Sequence, residues 1–449
     1  MKKPWIVAVI LAVVVVVTVV VIRRFQSVPV SPPSAAPQTA GERAEPLEAV
    51  AFDMQYRGLT GPDDPLGHRS FWGFGGGGET ESPFVQAVKQ RVQDYDTVYN
   101  ALLPNAPWSV VELKDKKPVA LYFDLDGDGK LTDNEKIPPT LSSNPRPSHE
   151  FAFVTPDFTI RKEDGREIPF RVLLVANLWG GERMNYMWSP CCVLEGQATF
   201  GGEPMRLFLY GQGFTGSFTT FGQCSFTLVP AGQKIEEYVP RTTLSSLICH
   251  DGAFYRLAFA GSHESNKTLR LTLQKNTSPT GQVALQLKGK DAIKTRLANA
   301  TINGATDNSI QFNTYNAQSA LPIGDYKLSS GSTLYGVESD DQWQVNFSEG
   351  PAFAVAKDQT TGVDLGELTL SVKSVAEQDR YRNDVKEKAV YAKGTSIYLS
   401  PQIKGKAGEV YSRFSQKQAE SNQWADVKPH VSILDADGKE VASADMEYG

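Results

Sequence analysis

Residues 151–175 read Phe-Ala-Phe-Val-Thr-Pro-Asp-Phe-Thr-Ile-Arg-Lys-Glu-Asp-Gly-Arg-Glu-Ile-Pro-Phe-Arg-Val-Leu-Leu-Val, and this stretch indicates the fold class. Its short runs are rich in the aromatic and β-branched residues that suit a pleated, half-buried strand. The turn sequence Glu163-Asp164-Gly165 separates two of these runs, so the stretch predicts a β-hairpin. Residues 193–210 repeat the same scheme around Gly201-Gly202.

The rest of the chain continues in short apolar runs separated by glycine turns. The runs fall within residues 244–260, 269–287, 320–334, 396–400 and 431–434, and Asp437-Gly438 then turns the chain into a closing strand. Regular spacing of short strands is typical of sandwich folds. We therefore predict a mainly β protein built from several β-sandwich or immunoglobulin-like modules. Residues 322–328 also resemble a strand edge that is common in prealbumin-like β-sandwiches.

A small α+β region is predicted ahead of these strands. Ser82 fits a helix N-cap and Pro83 fits the first helical position. Apolar side chains then recur at helical spacing, at Val85, Val88, Val92, Tyr95 and Tyr99. The apolar run at residues 118–123 predicts a strand. We expect this helix and this strand to share one small core.

The strongest chemical pattern follows that strand, where residues 124–135 read Asp-Leu-Asp-Gly-Asp-Gly-Lys-Leu-Thr-Asp-Asn-Glu. Calcium is a hard cation that takes about six to eight oxygen ligands, and a twelve-residue loop supplies them from positions 1, 3, 5, 7, 9 and 12. Those positions are Asp124, Asp126, Asp128, Lys130, Thr132 and Glu135. We expect the backbone carbonyl of Lys130 to serve, and Gly129 to permit the sharp turn. The pattern predicts a Ca²⁺ site.

These twelve residues resemble the EF-hand calcium loop at every ligand position and at the glycine. The flanks differ from that family, because a strand precedes the loop where the family has a helix. After the loop, Thr132 and Glu135 fit a capping box for one helical turn, and Pro138-Pro139 ends it. We expect a strand–loop–turn variant of the motif. The alternative is an acidic surface turn that holds no metal.

A second resemblance uses the same residues. An apolar strand that ends in Phe-Asp-Leu-Asp-Gly resembles the first motif of haloacid dehalogenase-type phosphotransferases. That resemblance implies Asp124 as nucleophile, Asp126 as general acid and base, and Mg²⁺ as cofactor. The family has threonine where this chain has Asp128, and it continues with alternating strands and helices, a pattern this sequence lacks.

The N-terminal residues predict a membrane anchor. Residues 4–22 are apolar apart from Thr18 and the opening proline, and basic pairs flank them on both sides. About twenty apolar residues span a bilayer, whereas the apolar part of a secretory signal is shorter. We predict a single-pass transmembrane anchor within residues 1–24, with the body on the extracytoplasmic side, rather than a cleaved signal. Residues 25–48 are rich in proline and alanine and predict an extended linker.

Length and charge suggest how the remainder is organised. We expect an α+β region with the calcium loop at residues 49–145, a cysteine-containing β domain at 146–260, a β-sandwich-like domain at 261–370 and an immunoglobulin-like module at 371–449. The chain has a formal charge of −6, and its first 24 residues carry four basic side chains and no acidic ones. The absence of a basic stripe argues against a nucleic-acid partner.

Four cysteines, at positions 191, 192, 224 and 249, fall within one β region. In an oxidising compartment their even number predicts one or two disulfides. Adjacent residues of a strand point to opposite faces, so Cys191 and Cys192 should have different partners. A zinc site and four buried free thiols are the alternatives, and the sequence lacks the Cys-x-x-Cys spacing of many zinc sites.

No catalytic motif accompanies these features. The sequence contains neither a His-Glu-x-x-His pair nor a Gly-x-Ser-x-Gly elbow. The body resembles bacterial extracytoplasmic proteins that combine one calcium loop with β-modules. We therefore expect a membrane-anchored, calcium-binding protein with a structural or interaction role, whose partner is an envelope or extracellular protein or a glycan. A secreted hydrolase acting on polysaccharide, with two acids and tryptophans lining a cleft, is the main alternative.

Overall fold

The architecture comes from a computed structural model of the chain. It describes residues 49–61, 64–66, 72–75, 82–99, 108–140, 151–162, 165–179, 183–211, 213–235, 241–261, 269–288, 294–337, 342–376, 396–418, 423–428, 430–434 and 437–445. The expected β-rich class is confirmed, because these residues form many strands and one α-helix. The anchor and linker predicted within residues 1–48 lie outside the described residues. Within the described ranges, none of the helices has the length and apolar character needed to cross a bilayer.

The elements up to residue 275 are given first. They are β1 (Ala49–Gly58), β2 (Trp72–Gly75), α1 (Pro83–Lys89), β3 (Tyr95–Tyr99), β4 (Trp108–Lys114), β5 (Lys117–Phe123), a 3₁₀ turn (Asp133–Glu135), β6 (Lys136–Ile137), β7 (Phe151–Val154), β8 (Phe158–Arg161), β9 (Glu167–Phe170), β10 (Val172–Trp179), β11 (Arg183–Pro190), β12 (Cys192–Phe200), β13 (Glu203–Tyr210), β14 (Ser225–Pro230), β15 (Thr242–Thr243), β16 (Leu247–His250), β17 (Ala253–Gly261) and β18 (Leu269–Lys275).

The remaining strands follow. They are β19 (Thr280–Lys288), β20 (Thr295–Gly304), β21 (Gln311–Thr314), β22 (Gln318–Pro322), β23 (Gly324–Tyr335), β24 (Trp343–Ser348), β25 (Ala352–Val355), β26 (Thr360–Gly366), β27 (Thr369–Ala376), β28 (Ile397–Lys404), β29 (Val410–Lys417), β30 (Trp424–Asp426), β31 (His430–Leu434) and β32 (Glu440–Asp445).

The largest sheet before residue 275 has eight strands in the order β15-β14-β13-β12-β1-β18-β17-β16. Its two edge strands, β15 and β16, are separated along the chain by residues 244–246 alone. The Leu244 amide donates to the Cys224 carbonyl at 2.8 Å, and the Leu257 amide donates to the Ser246 carbonyl at 2.8 Å. A three-residue connection therefore links the two edges of the sheet, and its inner face contributes to the largest hydrophobic core.

In a second sheet, β2-β11-β10-β7, residues 172–176 of β10 are buried on both faces. Leu173 and Val175 of β10 pack with Phe208 on the outer side of the eight-stranded sheet. Leu174 and Trp188 belong to the largest core. Successive side chains of a strand point to opposite faces, so a strand covered on both sides needs an unbroken apolar run. That requirement accounts for the continuous sequence Val-Leu-Leu-Val-Ala at residues 172–176.

The small α+β region consists of α1 packed on the sheet β3-β4-β5-β6. The expected shared core is confirmed, since Val85 and Val88 of α1 pack with Ala120 and Tyr122 of β5. The predicted length of the helix is wrong, because it ends at Lys89 and residues 95–99 form β3. A spacing of four residues also places side chains on one face of a strand, and Tyr-Asp-Thr-Val-Tyr favours that structure.

Two further sheets share a separate core. The three-stranded sheet β22-β19-β26 packs against a nine-stranded sheet that contains β20, β23, β24 and β27–β29. Strand pairing crosses the predicted boundary at residues 370 and 371, because β29 pairs with β24. It also crosses the boundary at 260 and 261, since β18 pairs with β1 and β17. The hairpin β31–β32 forms a separate two-stranded sheet, and the immunoglobulin-like module stays a prediction.

The disulfide prediction is wrong in this structure, since all four cysteines are free. Cys191 and Cys192 do lie on opposite faces of their strand segment, in different hydrophobic cores, as expected. Burial raises the pKa of the Cys191 thiol to about 12. These two thiols are therefore apolar core residues that stay protonated near neutral pH.

Candidate metal centre

The loop at residues 124–135 connects β5 to β6, which pair antiparallel with Leu121 opposite Ile137. This pairing holds the two ends of the loop together. Leu131 packs against the core beneath α1, and Leu125 packs against the largest core. Two apolar side chains thus fix the loop to two different cores, and the predicted strand–loop–turn arrangement is confirmed for the backbone.

Side chain to backbone hydrogen bonds wind the loop around its aspartates. Asp124 accepts hydrogen bonds from the Gly127 amide at 2.8 Å and the Gly129 amide at 3.1 Å. Asp126 accepts from the Asp128 amide at 3.1 Å. Both glycines have positive φ, 71° and 74°, which a residue with a Cβ atom adopts only with strain. Local turns of this kind explain why Asp and Gly alternate here.

The turns bring three carboxylates together. Asp124, Asp126 and Asp128 each offer an oxygen, and these three oxygens lie within 4.8 Å of one another. Asp124 is 8% exposed, whereas the other two are exposed. Burial raises the pKa of Asp124 despite the two amides that oppose this, and the negative charges of Glu135 and Asp126 raise it further. A bound cation would offset both the burial and the repulsion.

Glu135, the predicted twelfth ligand, makes hydrogen bonds within the loop. It is 1% exposed, and its Oε1 accepts from the Leu125 amide at 3.0 Å. Its Oε2 accepts from the Thr132 amide at 2.7 Å and the Thr132 hydroxyl at 2.8 Å. The expected capping box and helical turn therefore form. These hydrogen bonds close the loop. If Glu135 bound a cation through both oxygens, metal–oxygen contacts would replace the three hydrogen bonds.

Lys130 contributes an interaction that sequence reasoning missed. Its ammonium lies 3.0 Å from Asp128 Oδ2, while its backbone amide donates to Asp128 Oδ1 at 2.7 Å. The hydrogen bond and charge of Asp128 raise the pKa of Lys130, and those of Lys130 contribute to lowering the pKa of Asp128. The available signal was the Asp-Gly-Lys spacing in a tight turn. This lysine supplies positive charge beside the place where a cation would bind.

The donor set fits a hard divalent cation. All side-chain donors are oxygens, and the loop has no imidazole or thiolate that would favour zinc or copper. The arrangement does not favour the dehalogenase-type reading, because β5 leads into its antiparallel partner β6 and not into a helical crossover. The three carboxylates do not enclose the place where a cation would bind, since Asp126 and Asp128 are exposed to solvent.

A cleft elsewhere in the protein bears on the hydrolase alternative. It has a volume of about 320 Å³, lies between β14–β16 and β21, and is called the β15–β21 cleft below. It is lined by Phe226, Thr227, Leu228, Thr242, Thr243, Ser245, Leu247, Ile248, Cys249, His250, Gln311, Phe312 and Asn313. None of these is an aspartate, a glutamate or a tryptophan. The cleft therefore lacks the paired acids that glycoside hydrolysis requires.

Neither family models nor curated proteins nor solved structures match this chain. The likeness to the EF-hand loop accordingly rests on residues 124–135 alone.

Proposed function

We propose that this protein is a membrane-anchored, extracytoplasmic Ca²⁺-binding protein with a structural or interaction role. The observation that carries the proposal is the convergence of the Asp124, Asp126 and Asp128 carboxylates on one point. The apolar residues 4–22 support the anchor. The calcium loop and the length of the body favour its placement outside. An envelope or extracellular protein or a glycan is the proposed partner.

Calcium suits this loop better than magnesium. Ca²⁺ accepts a flexible, irregular shell of oxygens, whereas Mg²⁺ requires near-octahedral geometry and keeps its water molecules. Asp124, Asp126 and Asp128 would hold the ion, with the Lys130 carbonyl, Thr132 and Glu135 completing the shell. When bound, Ca²⁺ supplies positive charge that neutralises the aspartates. The effect of binding is structural, because Leu125 and Leu131 fix the loop to two cores.

Calcium is expected to raise the stability of the region around α1 and β3–β6. Stabilisation by a ligand follows RT ln(1 + [L]/Kd), so calcium at ten times Kd adds about 1.4 kcal/mol to the free energy of unfolding. Single loops of extracellular modules bind at roughly 10⁻⁴ to 10⁻³ M. Calorimetry with calcium, magnesium and chelator measures the shift, which should be largest with calcium.

Two variants test whether the loop causes the effect. Asp124→Ala and Glu135→Ala should abolish the calcium-dependent shift, because position 1 begins the shell and position 12 offers two oxygens. Asp133→Ala is the matched control, since Asp133 lies in the same loop outside the ligand positions. The proposal fails if the wild-type protein melts at the same temperature in calcium, magnesium and chelator.

Lys130→Met should tighten calcium binding by roughly two- to fivefold, a modest gain because exposed charges interact weakly through solvent. The substitution removes an ammonium 3.0 Å from Asp128 Oδ2 and keeps the backbone carbonyl. Lys116→Met in the exposed turn between β4 and β5 is the control, and it should leave affinity unchanged. Titration calorimetry measures both constants. Equal affinity in the wild type and Lys130→Met would show that the ammonium leaves Asp128 when calcium binds.

A further inference from the structure

The β15–β21 cleft lies where the two largest sheets meet. β15 and β16 are the two edges of the eight-stranded sheet, and β21 is an edge of the nine-stranded sheet. Binding pockets occur preferentially at such junctions, and about 320 Å³ is near the lower end of the usual range of about 300–1,000 Å³. The size suits a small ligand. The cleft shares no residue with the calcium loop.

Hydrogen bonds between the two sheets form the base of the cleft. The Ser245 hydroxyl is 1% exposed and accepts hydrogen bonds from the Gln311 amide at 2.9 Å and the Leu247 amide at 3.2 Å. Beside it, the Ser246 amide donates to the Ser309 carbonyl at 2.8 Å, and the two serine hydroxyls lie 2.6 Å apart. These bonds join the two sheets, so the cleft exists before any ligand arrives. A preformed site loses less entropy on binding.

The lining mixes polar and apolar side chains and carries no formal charge from Asp, Glu, Lys or Arg. Thr242, Thr243, Gln311 and Asn313 can each donate and accept hydrogen bonds. Moving a charged ligand out of water has a desolvation cost, and no lining residue of opposite formal charge offsets it. The ring of His250 lies 5.1 Å from that of Phe200, and its Nε2 lies 3.4 Å from the exposed Asp251 carboxylate, which is outside the lining. The lack of Asp, Glu, Lys and Arg in the lining therefore favours an uncharged ligand over a charged one.

The lining also combines hydrogen-bonding groups with carbon surfaces. Gln311 and Asn313 lie on one face of β21, because they are two residues apart on a strand. The Asn313 carbonyl oxygen accepts a hydrogen bond from the Thr301 hydroxyl at 3.0 Å, which orients its amide nitrogen as a donor. Leu228 and Ile248 add apolar carbon to the walls. A neutral sugar presents alternating hydroxyl groups and C–H surfaces, so it complements a lining of this kind.

We propose that the β15–β21 cleft binds a neutral mono- or disaccharide unit of an extracytoplasmic glycan. Gln311 and Asn313 would bind the sugar hydroxyls, and the partly buried Leu228 would contact its C–H face. The lack of paired acids in the cleft makes this a binding site without hydrolysis. This proposal builds on the proposed function, because it assigns a binding site and a chemical class to the glycan partner. It does not depend on whether the loop binds calcium.

Saturation-transfer NMR on the full chain, in a detergent without a sugar headgroup, tests the proposal. The probes are glucose, galactose, N-acetylglucosamine, maltose, cellobiose and N,N′-diacetylchitobiose at millimolar concentration. At least one should receive saturation, and chelator should not change the signal. Glucuronate and glucosamine, which carry charge, should bind more weakly than their neutral counterparts.

Variants assign the signal to the cleft. Gln311→Ala with Asn313→Ala should weaken binding roughly tenfold, the effect of losing two neutral hydrogen bonds. Thr242→Trp, at an exposed position, should block the cleft without disturbing a core. Gln318→Ala removes an exposed amide from β22, in another sheet, and should change nothing. The proposal is overturned if no sugar receives saturation, if binding survives both cleft variants, or if an uncharged tripeptide binds where the sugars do not.

Discussion

Glu409→Ala is expected to lower the free energy of unfolding by about 2 kcal/mol. Each buried donor left without a partner costs roughly 1–3 kcal/mol, and removal of Oε2, a buried oxygen that has no hydrogen-bond partner, offsets part of that loss. Glu409 is fully buried, and its Oε1 accepts hydrogen bonds from the Gly366 amide at 2.7 Å and the Tyr411 hydroxyl at 3.1 Å. Burial raises the pKa of Tyr411, so its phenol stays protonated and donates. Equilibrium unfolding in urea measures the loss.

The position of Glu409 explains why the effect should be large. Gly366 ends β26 in the three-stranded sheet, whereas Tyr411 lies in β29 of the nine-stranded sheet. One carboxylate therefore joins two sheets over a shared core. A methyl group on Gly405 would overlap this carboxylate, so Gly405→Ala should also be destabilising.

Two variants separate this bridge from a general charge effect. Glu367→Ala removes an exposed carboxylate near the same turn, 3.3 Å from Lys406, and should change stability by less than about 0.5 kcal/mol. Glu409→Gln keeps a carbonyl oxygen that can accept from Gly366, so it should cost less than Glu409→Ala. A loss at Glu409→Ala as small as that at Glu367→Ala would contradict the bridging role.

Local sequence was sufficient to predict several of the strands and their turns. The hairpin predicted within residues 193–210 forms as β12 and β13 around Gly201-Gly202, and both glycines have positive φ. Strand neighbours distant in sequence were beyond prediction. β1 pairs with β12 on one side and β18 on the other, with Tyr56 opposite Leu194 and Phe52 opposite Leu271. Alternation of side chains fixes a buried face but does not say which strand covers it.

Continuous apolar runs concealed a break between sheets. The second run of the hairpin predicted within residues 151–175, at residues 168–175, is divided at Arg171 into β9 and β10, which belong to different sheets. The Arg171 guanidinium donates to the Leu59 carbonyl at 2.9 Å and to Asp157 at 2.9 Å, and it occupies the space that a side chain at Gly58 would fill. These partners are far away in sequence, so nothing local marks the break.

In the candidate metal centre, too, some features could be predicted from the sequence and others could not. Convergence of the aspartates follows from turns only two to five residues long, so the loop pattern was sufficient to predict it. The hydrogen bonds of Glu135 to Leu125 and Thr132, and the contact of Lys130 with Asp128, depend on rotamers that a ligand pattern does not specify. The bridge at Glu409 had no sequence signal, because its partners come from two sheets.

Phe123→Ala is expected to lower the free energy of unfolding by about 4 kcal/mol, within the range for truncating a buried phenylalanine. Phe123 is fully buried at the end of β5, and its ring centroid lies 5.2 Å from that of Phe158 and 5.9 Å from that of Trp188. Tyr122 on the opposite face packs beneath α1. Phe123 thus attaches the α+β region to the largest core, immediately before Asp124.

This position predicts a separation of stability from metal affinity. The amide hydrogen bonds to Asp124 come from Gly127 and Gly129, which the substitution leaves in place. The free energy of calcium binding should therefore change less than the free energy of unfolding does. Phe221→Ala, at a half-buried ring on the periphery of the same core, is the control and should cost about 1–2 kcal/mol. Urea unfolding and calcium titration of both variants provide the comparison. A loss at Phe123 no larger than at Phe221 would show that the α+β region is attached through other contacts.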